Sequence, residues 1–317
     1  MTPRPLDPGL WVILATPFDV GGAVDHRSLA REVEHALAAG ADGVVALGVF
    51  GEATSLSLAE QEQVAETVAR TVTRAAAGTP LVLGVSGRST EVVVEQALAA
   101  LGAAAAAGAE RSDLALMVQV NTAQEDALVS HLDRVYRRTG AGIVVQDYPA
   151  TSGVSIPTGT LVRVVRRCPY VVAVKAEAPP TPPAIAEVVA GTSVPVFGGL
   201  GGVGLVDELA AGAAGAMTGF SAPEGLRVAL DAHRDGGFSA AREAWAPWLP
   251  LANFEGQAGI ALALRKTLLH RRGVIDDPGV RPPARAMPDS LSALLDQHLA
   301  TLPTIPTTTS ATHPGGH

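Results

Sequence analysis

The sequence predicts a (β/α)8 barrel followed by a helical extension, and three observations support this fold class. Short apolar runs alternate with helical segments eight times, at a spacing of about 25 to 30 residues. The runs are continuously apolar, which is typical of parallel strands that are buried on both faces. No GxGxxG motif follows the first run, which disfavours a doubly wound open sheet. A closed barrel is the simplest arrangement of eight such units.

The elements can be placed along the chain from these runs. The first unit has the apolar run Trp11–Phe18 and a helix from about Asp25 to Ala39. The second has the strand Gly43–Gly48 and a helix that begins near Ser57, where Glu60 favours the first turn. The other strands are predicted at Leu81–Val85, Leu114–Val120, Ile143–Gln146, Val171–Lys175, Val194–Phe197 and Ala214–Thr218. Their helices are predicted at Thr90–Ala107, Gln124–Arg138 and Pro157–Arg167, and in the segments that end near Ala190 and Ala210.

The pattern changes after residue 222, where no further strand is predicted. Residues 1–222 are therefore assigned to the barrel and residues 223–302 to a C-terminal helical domain. The helical patterns of this domain lie at Leu226–Arg234, Ala240–Leu251, Ile260–Arg271 and Ser290–Leu302. The tail, residues 303–317, has few apolar side chains and is predicted to be disordered.

Composition excludes several classes of function. The net charge of −8 and the pI of about 5.5 disfavour nucleic acid or an anionic membrane surface as a partner. The sequence has no apolar run long enough to span a membrane and no signal peptide at Met1–Leu10, so a cytoplasmic protein is expected. The single cysteine, Cys168, excludes an internal disulfide. The eight histidines lack metal-ligand spacing, so no metal site is expected.

Lysine is rare in this chain, and one lysine ends a predicted strand. Of 23 basic side chains only Lys175 and Lys266 are lysine. A lysine amine can lose its proton and form a Schiff base with a carbonyl group, which arginine cannot do. Lys175 follows Val172 and Val174, and burial there would lower the pKa of its amine. Lys175 is therefore the candidate nucleophile, with an ordinary strand-end lysine as the alternative.

Other candidates follow the predicted strands, at the end of a barrel where active sites lie. The backbone N–H groups of Val49, Phe50 and Gly51 could bind a carboxylate. Tyr148 could carry a proton. Gly199, within a run of glycines, could let the backbone approach a ligand closely. The structural alternatives are an ordinary turn, a packing tyrosine and a flexible loop.

Together these segments resemble the dihydrodipicolinate synthase / N-acetylneuraminate lyase family of class I aldolases. The resemblance covers about residues 10–222 and rests on Gly48–Glu52, Tyr148-Pro149, Val174-Lys175 and Gly198-Gly199. It implies that Lys175 forms the Schiff base with a 2-oxo acid such as pyruvate, with no cofactor besides this covalent imine. It also implies a homo-oligomer, usually a tetramer.

Several residues depart from the pattern of this family. Val49 and Phe50 stand where the family commonly has two threonines, and Gln146 stands where its strand-five tyrosine would be. Thr151 lies near the position of the arginine that dihydrodipicolinate synthases use. The chain is therefore interpreted as an atypical member and not as a dihydrodipicolinate synthase.

The predicted function is that of a Schiff-base lyase, an aldolase that makes or breaks a carbon–carbon bond between a 2-oxo acid and an aldehyde. Tyr148 is the predicted proton carrier. One alternative is a 2-keto-3-deoxy sugar acid dehydratase or hydratase-aldolase that uses the same imine. The other is a non-catalytic protein that binds an oxo acid, because the threonine hydroxyls are missing.

Overall fold

The computed structural model of the protein describes residues 3–303, so the predicted tail lies outside the described residues except for Pro303. The strands are β1 (Gly9–Ile13), β2 (Gly43–Ala46), β3 (Leu81–Val85), β4 (Leu114–Gln119), β5 (Gly142–Asp147), β6 (Val171–Ala176), β7 (Val196–Gly198) and β8 (Gly215–Thr218). The helices are α1 (His26–Ala38), α2 (Leu58–Ala75), α3 (Thr90–Ala106), α4 (Glu125–Thr139), α5 (Pro149–Ser152), α6 (Thr158–Arg167), α7 (Thr181–Gly191), α8 (Leu205–Ala210), α9 (Pro223–Trp245), α10 (Leu249–Glu255), α11 (Ala261–Arg271) and α12 (Ser292–Ala300).

The strands form a closed parallel barrel. Each strand pairs with the next one along the chain, and β8 pairs with β1. This arrangement confirms the predicted (β/α)8 barrel. The second barrel helix, α2, begins with a capping box in which the Ser57 hydroxyl accepts from the Glu60 amide and the Glu60 carboxylate accepts from the Ser57 amide. The acidic residue predicted to favour this turn therefore acts through a defined pair of hydrogen bonds.

Large apolar side chains fill the interior of the barrel. Trp11 on β1 and Phe197 on β7 are fully buried and meet edge to face, with their ring centroids 6.1 Å apart. The cluster also contains Ile13, Val45, Val82, Met117, Val144, Ala173 and Met217. The interior of the barrel is therefore packed with side chains, and in such barrels a site lies at the C-terminal ends of the strands.

Some predicted boundaries were wrong, for local reasons. The first strand ends at Ile13 and not at Phe18, because the Thr16 hydroxyl donates to the carbonyl of Gly51 and Phe18 pairs with Val24 in an isolated bridge. The short helix α5 was not predicted. The break predicted between Arg234 and Ala240 is present, because Gly237 inside α9 has non-helical dihedral angles, with φ 71°. The second predicted helix, Ala240–Leu251, is instead divided between the end of α9 and the start of α10.

The C-terminal helices pack directly on the barrel. Helix α9 follows β8 and lies against α8 and β1, in the place of the eighth barrel helix. Its residues Leu226 and Trp245 belong to the same apolar cluster as the barrel helices. The division into residues 1–222 and 223–302 stays a prediction. No helix among residues 3–303 is both long and apolar enough to cross a bilayer.

Lys266, the second of the two lysines, joins helix α11 to the barrel. Its side chain is fully buried, and its amine donates to the carbonyl of Thr16 and to Glu52 Oε1, both at 2.9 Å. The amine also lies 4.3 Å from the centroid of the Phe18 ring. Glu52 Oε2 in turn accepts from the amide of Arg281 at 3.0 Å. This lysine is therefore a structural tie between the C-terminal helices and the loop that follows β2.

We expect Lys266→Met to destabilise the protein by about 3–5 kcal/mol, because it leaves the buried carboxylate of Glu52 without its partner. Denaturant unfolding of the variant measures this loss. The double variant Lys266→Met/Glu52→Gln should recover much of the stability, since no buried charge remains unpaired. Arg70→Met removes an exposed ion pair to Glu66 and should cost at most about 1 kcal/mol. Equal losses from the buried and exposed pairs would contradict the interpretation.

Glu32, on α1, makes stability depend on pH. Its Oε1 accepts from the Ala15 amide at 2.8 Å, and its Oε2 has no partner within the described chain. Burial raises the pKa of this carboxyl from 4.5 to about 8. The folded state therefore holds a proton that the unfolded chain releases, and the associated stability is lost as the pH rises from about 4.5 through about 8.

Glu32→Gln should therefore reduce the fall in unfolding free energy across this pH range. Measurements of denaturant unfolding at several pH values test this expectation. The exposed Glu62 provides a matched control, because Glu62→Gln on the next helix should leave the pH dependence unchanged. A pH profile of the Glu32 variant that matches the unmodified protein would contradict the assignment.

Candidate active site

Lys175 lies near the C-terminal end of β6, where the barrel opens. Its side chain is buried, and its amine nitrogen lies 2.7 Å from Glu177 Oε2. Side chains two residues apart in an extended chain point to the same side, which brings this pair together. The amine therefore has a carboxylate beside it that can accept its proton.

Two hydrogen-bond donors hold the carboxylate of Glu177, and a glycine leaves room for it. Gln146 Nε2 donates to Oε2 at 2.7 Å, and the amide of Leu200 donates to Oε1 at 3.2 Å. Gln146 pairs with Lys175 in the register of β5 and β6. A Cβ atom on Gly199 would lie 2.3 Å from Oε1, so only glycine leaves room for the carboxylate. The carboxylate is held by strand β5 on one side and by the loop after β7 on the other.

A cavity of about 590 Å³ opens around this pair. The predicted residues Lys175, Tyr148, Val49 and Phe50 line it, whereas Gly51 and Gly199 are not among its lining residues. Other side chains that line it belong to Ile13, Gln146, Glu177, Leu200, Val203, Thr218, Asn253, Leu262 and Arg265. The wall of the cavity is therefore formed by the C-terminal helices together with the barrel strands.

The loop after β2 has backbone amides that make no hydrogen bond. The amides of Val49, Phe50 and Gly51 have no acceptor within residues 3–303, whereas the Glu52 amide donates to the carbonyl of Val49 at 3.2 Å. Val49 and Phe50 also line the cavity and Gly51 does not. The N–H groups of Val49 and Phe50 are therefore the candidates for binding a carboxylate.

Burial changes the acidity of two neighbours of Gln146. It raises the pKa of the Tyr148 phenol, and the nearby charge of Glu177 acts in the same direction. Burial and Glu177 also raise the pKa of Asp147 to about 6. Because β5 is extended, Asp147 lies on the opposite side of the strand from Gln146. Tyr148 is therefore a protonated phenol that can donate a hydrogen bond into the cavity.

The sequence analysis missed two charged residues of this cavity. Glu177 follows Lys175 at the spacing that places two strand residues on one side, so the strand period could have identified it. Arg265 comes from α11, about 90 residues further along the chain, and no sequence signal links it to Lys175. The roles of Lys175, Tyr148, Val49, Phe50, Gly51 and Gly199 stay predictions.

A lysine on the sixth strand of an eight-stranded barrel is found in a chain that matches a known family over most of its length. The model of the dihydrodipicolinate synthetase family matches residues 8–300. The chain belongs to this family. This confirms the resemblance found in the sequence, and members of the family are generally oligomeric and use small oxo acids.

The chain is also similar to individual members of the dihydrodipicolinate synthetase family. L-2-keto-3-deoxyarabonate dehydratase of Azospirillum brasilense is 32% identical over 294 residues, which cover 90% of this chain and 92% of that one. The 4-hydroxy-tetrahydrodipicolinate synthase of Porphyromonas gingivalis is 31% identical over 169 residues, 53% of this chain and 54% of that one. The crystal structure of dihydrodipicolinate synthase from Rhodopseudomonas palustris superposes with a TM-score of 0.83 at 25% identity, covering 95% of this chain and 100% of that one.

Family membership defines the class of enzyme. The chain is a lyase of the class I aldolase type, acting on a carbon–carbon or carbon–oxygen bond. The assignment of Gln146, Val49 and Phe50 to positions where the resemblance implies a tyrosine and two threonines stays a prediction. The structure places the carboxylate of Glu177 against the amine of Lys175.

Proposed function

We propose that the protein is a dehydratase of 2-keto-3-deoxy sugar acids that works through an imine on Lys175. The observation that carries this proposal is the 2.7 Å contact between the amine of Lys175 and the carboxylate of Glu177. The similarity to a dehydratase over nine tenths of the chain supports it.

The first step needs a base beside the amine. Glu177 accepts a proton from Lys175, and the neutral amine attacks the C2 ketone of the substrate. Glu177 then returns the proton to the C2 oxygen, which leaves as water. A protonated imine, which withdraws electrons from C3, and the free carboxylate of Glu177 remain. The imine itself is the electron sink, so the proposed chemistry needs no further cofactor.

The second step needs a base and an acid close to the imine nitrogen. C3 is two bonds from that nitrogen, so Glu177 lies within reach of a C3 proton. Removal of this proton gives an enamine, whose electrons expel the C4 hydroxyl as Glu177 returns the proton, and water leaves. Where C5 carries a hydroxyl, two protons then move from C5 and its oxygen to C3 and C4. Hydrolysis of the imine releases a dioxo acid and restores Lys175.

Binding groups are available for the substrate's first carboxylate. The amides of Val49 and Phe50, which line the cavity, are the proposed donors, and they replace the threonine hydroxyls of the family pattern. The Gln146 amide orients Glu177 at 2.7 Å, at the position where the family commonly has a phenol. A carboxylate that acts on C3 therefore takes the place of a phenol relay.

Carbon–carbon cleavage, the function first predicted from the sequence, requires the removal of a different proton from the same imine. A retro-aldol reaction removes the proton of the C4 hydroxyl, and Tyr148, which lines the cavity, is the candidate acceptor for that reaction. The contact of Glu177 with the amine favours abstraction at C3 and hence dehydration. We also infer from the family that the protein forms a homo-oligomer. Its substrates are proposed to be small 2-oxo acids.

Product analysis tests the proposal. The protein is incubated with L-2-keto-3-deoxyarabonate and other 2-keto-3-deoxy sugar acids, and the products are identified by NMR. A dioxo acid of unchanged carbon number is expected. Pyruvate with a two-carbon aldehyde from the five-carbon acid would instead establish an aldolase and overturn the dehydratase proposal.

A further inference from the structure

Arg265 stands in the wall of the cavity with unused hydrogen-bond donors. It belongs to α11 and lines the cavity together with Lys175 and Glu177. Only 14% of its side chain is exposed. None of its guanidinium N–H groups donates a hydrogen bond to another atom of residues 3–303, and its Nε is buried without a partner there. A largely buried arginine whose N–H groups make no hydrogen bond within the described residues is suited to bind a ligand.

The surroundings hold Arg265 in place without occupying its donors. Its guanidinium carbon lies 5.4 Å from the centroid of the Phe50 ring, and its Nε lies 3.4 Å from Glu255 Oε2. Glu255 itself accepts from the amide and the hydroxyl of Ser221. A Cβ atom on Gly201 would lie 2.6 Å from Arg265 Nη2, so this glycine makes room for the guanidinium.

We propose that Arg265 binds a second carboxylate, at the end of the substrate remote from the imine. This inference rests on the proposed function and narrows its substrates to 2-keto-3-deoxy sugar acids whose last carbon is also a carboxylate. A planar guanidinium binds a carboxylate through two parallel hydrogen bonds, whereas a terminal hydroxyl would use only one of its donors.

The charges in the cavity agree with a second anionic group. Lys175 and Glu177 form a neutral pair, so the guanidinium is the positive charge that remains for the substrate. Glu255 is fully buried, and burial raises the pKa of its carboxyl to about 7. Near neutral pH Glu255 therefore neutralises Arg265 only in part. The first carboxylate of the substrate has separate donors in the amides of Val49 and Phe50.

The test compares two C5 2-oxo acids that differ at one end. 2-Oxoglutarate carries a second carboxylate and 2-oxopentanoate carries a methyl group in its place. Each is titrated against the protein with sodium borohydride, and the concentration that gives half-maximal trapping of the imine is read by intact-protein mass spectrometry. Trapping by 2-oxoglutarate is expected at a concentration roughly 10- to 100-fold lower, because hydrogen bonds between charged groups contribute this much to affinity.

The variants separate the role of Arg265 from that of the imine. Arg265→Met should abolish the preference and leave trapping by 2-oxopentanoate unchanged, which also shows that the variant is folded. Arg265→Lys should restore part of the preference. Arg88 lines a neighbouring cavity, and Arg88→Met should leave the half-maximal trapping concentration of both acids unchanged.

Three results would overturn the inference. Equal trapping of both acids by the unmodified protein would exclude a second carboxylate site, and so would a preference that survives in Arg265→Met. Equal weakening of both acids by this variant would reduce Arg265 to a structural residue. Absence of any adduct with either acid would instead refute the imine on Lys175 and with it the proposed function.

Discussion

Replacing Lys175 by arginine is expected to abolish turnover, lowering kcat/KM by at least ~1000-fold, and to abolish the borohydride-trapped adduct. Arginine stays protonated at any working pH and cannot form an imine. It would nevertheless keep a positive charge beside Glu177, so loss of activity would report the missing nucleophile and not only a lost ion pair. Intact-protein mass spectrometry after incubation with 2-oxopentanoate and borohydride measures the adduct directly.

The other lysine provides the control. Lys266 is fully buried and bonded to Glu52, so a Lys266→Arg variant that remains folded should be trapped as efficiently as the unmodified protein. Circular dichroism of both variants shows whether the fold is retained. A single adduct that persists in Lys175→Arg would place the imine elsewhere and refute the mechanism.

Replacing Glu177 by glutamine is expected to lower kcat by about 10²- to 10⁴-fold. The imine should form more slowly without this base but should still be trapped after long incubation, because Lys175 is retained. Glutamine has nearly the same shape, and its carbonyl oxygen could still accept from the Leu200 amide, but it cannot exchange a proton with C3. The specific readout is the exchange of the C3 protons of 2-oxopentanoate for deuterium in D₂O, followed by NMR. The unmodified protein should catalyse this exchange and the variant should not.

Tyr148 is the matched comparison, because it lines the same cavity and was the proton carrier predicted from the sequence. Tyr148→Phe should retain deuterium exchange at C3. Loss of exchange in Tyr148→Phe with retention in Glu177→Gln would return the role to the phenol. Loss in both would mean that the two groups act as one proton relay.

The barrel could be predicted because each strand carries its own local signal. Continuously apolar runs such as Val171–Val174, buried on both sides, indicate a parallel strand without knowledge of its neighbours. Strand ends were less predictable. The first strand stops at Ile13 although the apolar run continues, because Thr16 bonds to the loop after β2, a contact between residues 35 positions apart.

The candidate site was predictable only where chemistry and strand position coincide. Lys175 has both, and Glu177 has the same strand period, which the sequence analysis did not use. Rarity was an incomplete guide, since Lys266 is equally rare and serves as a buried structural tie. Arg265 could not be predicted from the sequence, because its position in the cavity depends on how α11 packs across the barrel opening.

The same scarcity of lysine determines how the protein can be handled chemically. Both side-chain amines of the chain are buried, Lys175 at 3% and Lys266 at 0% exposure, so amine-directed crosslinkers and fluorescent labels have no lysine to attack on the surface of the folded protein. Digestion of the unfolded chain with a lysine-specific protease can cut at only two places. A reduced adduct on Lys175 would block one of them, fusing residues 1–175 and 176–266 into one long peptide. The digestion pattern alone would thus report both the presence of the imine and its position.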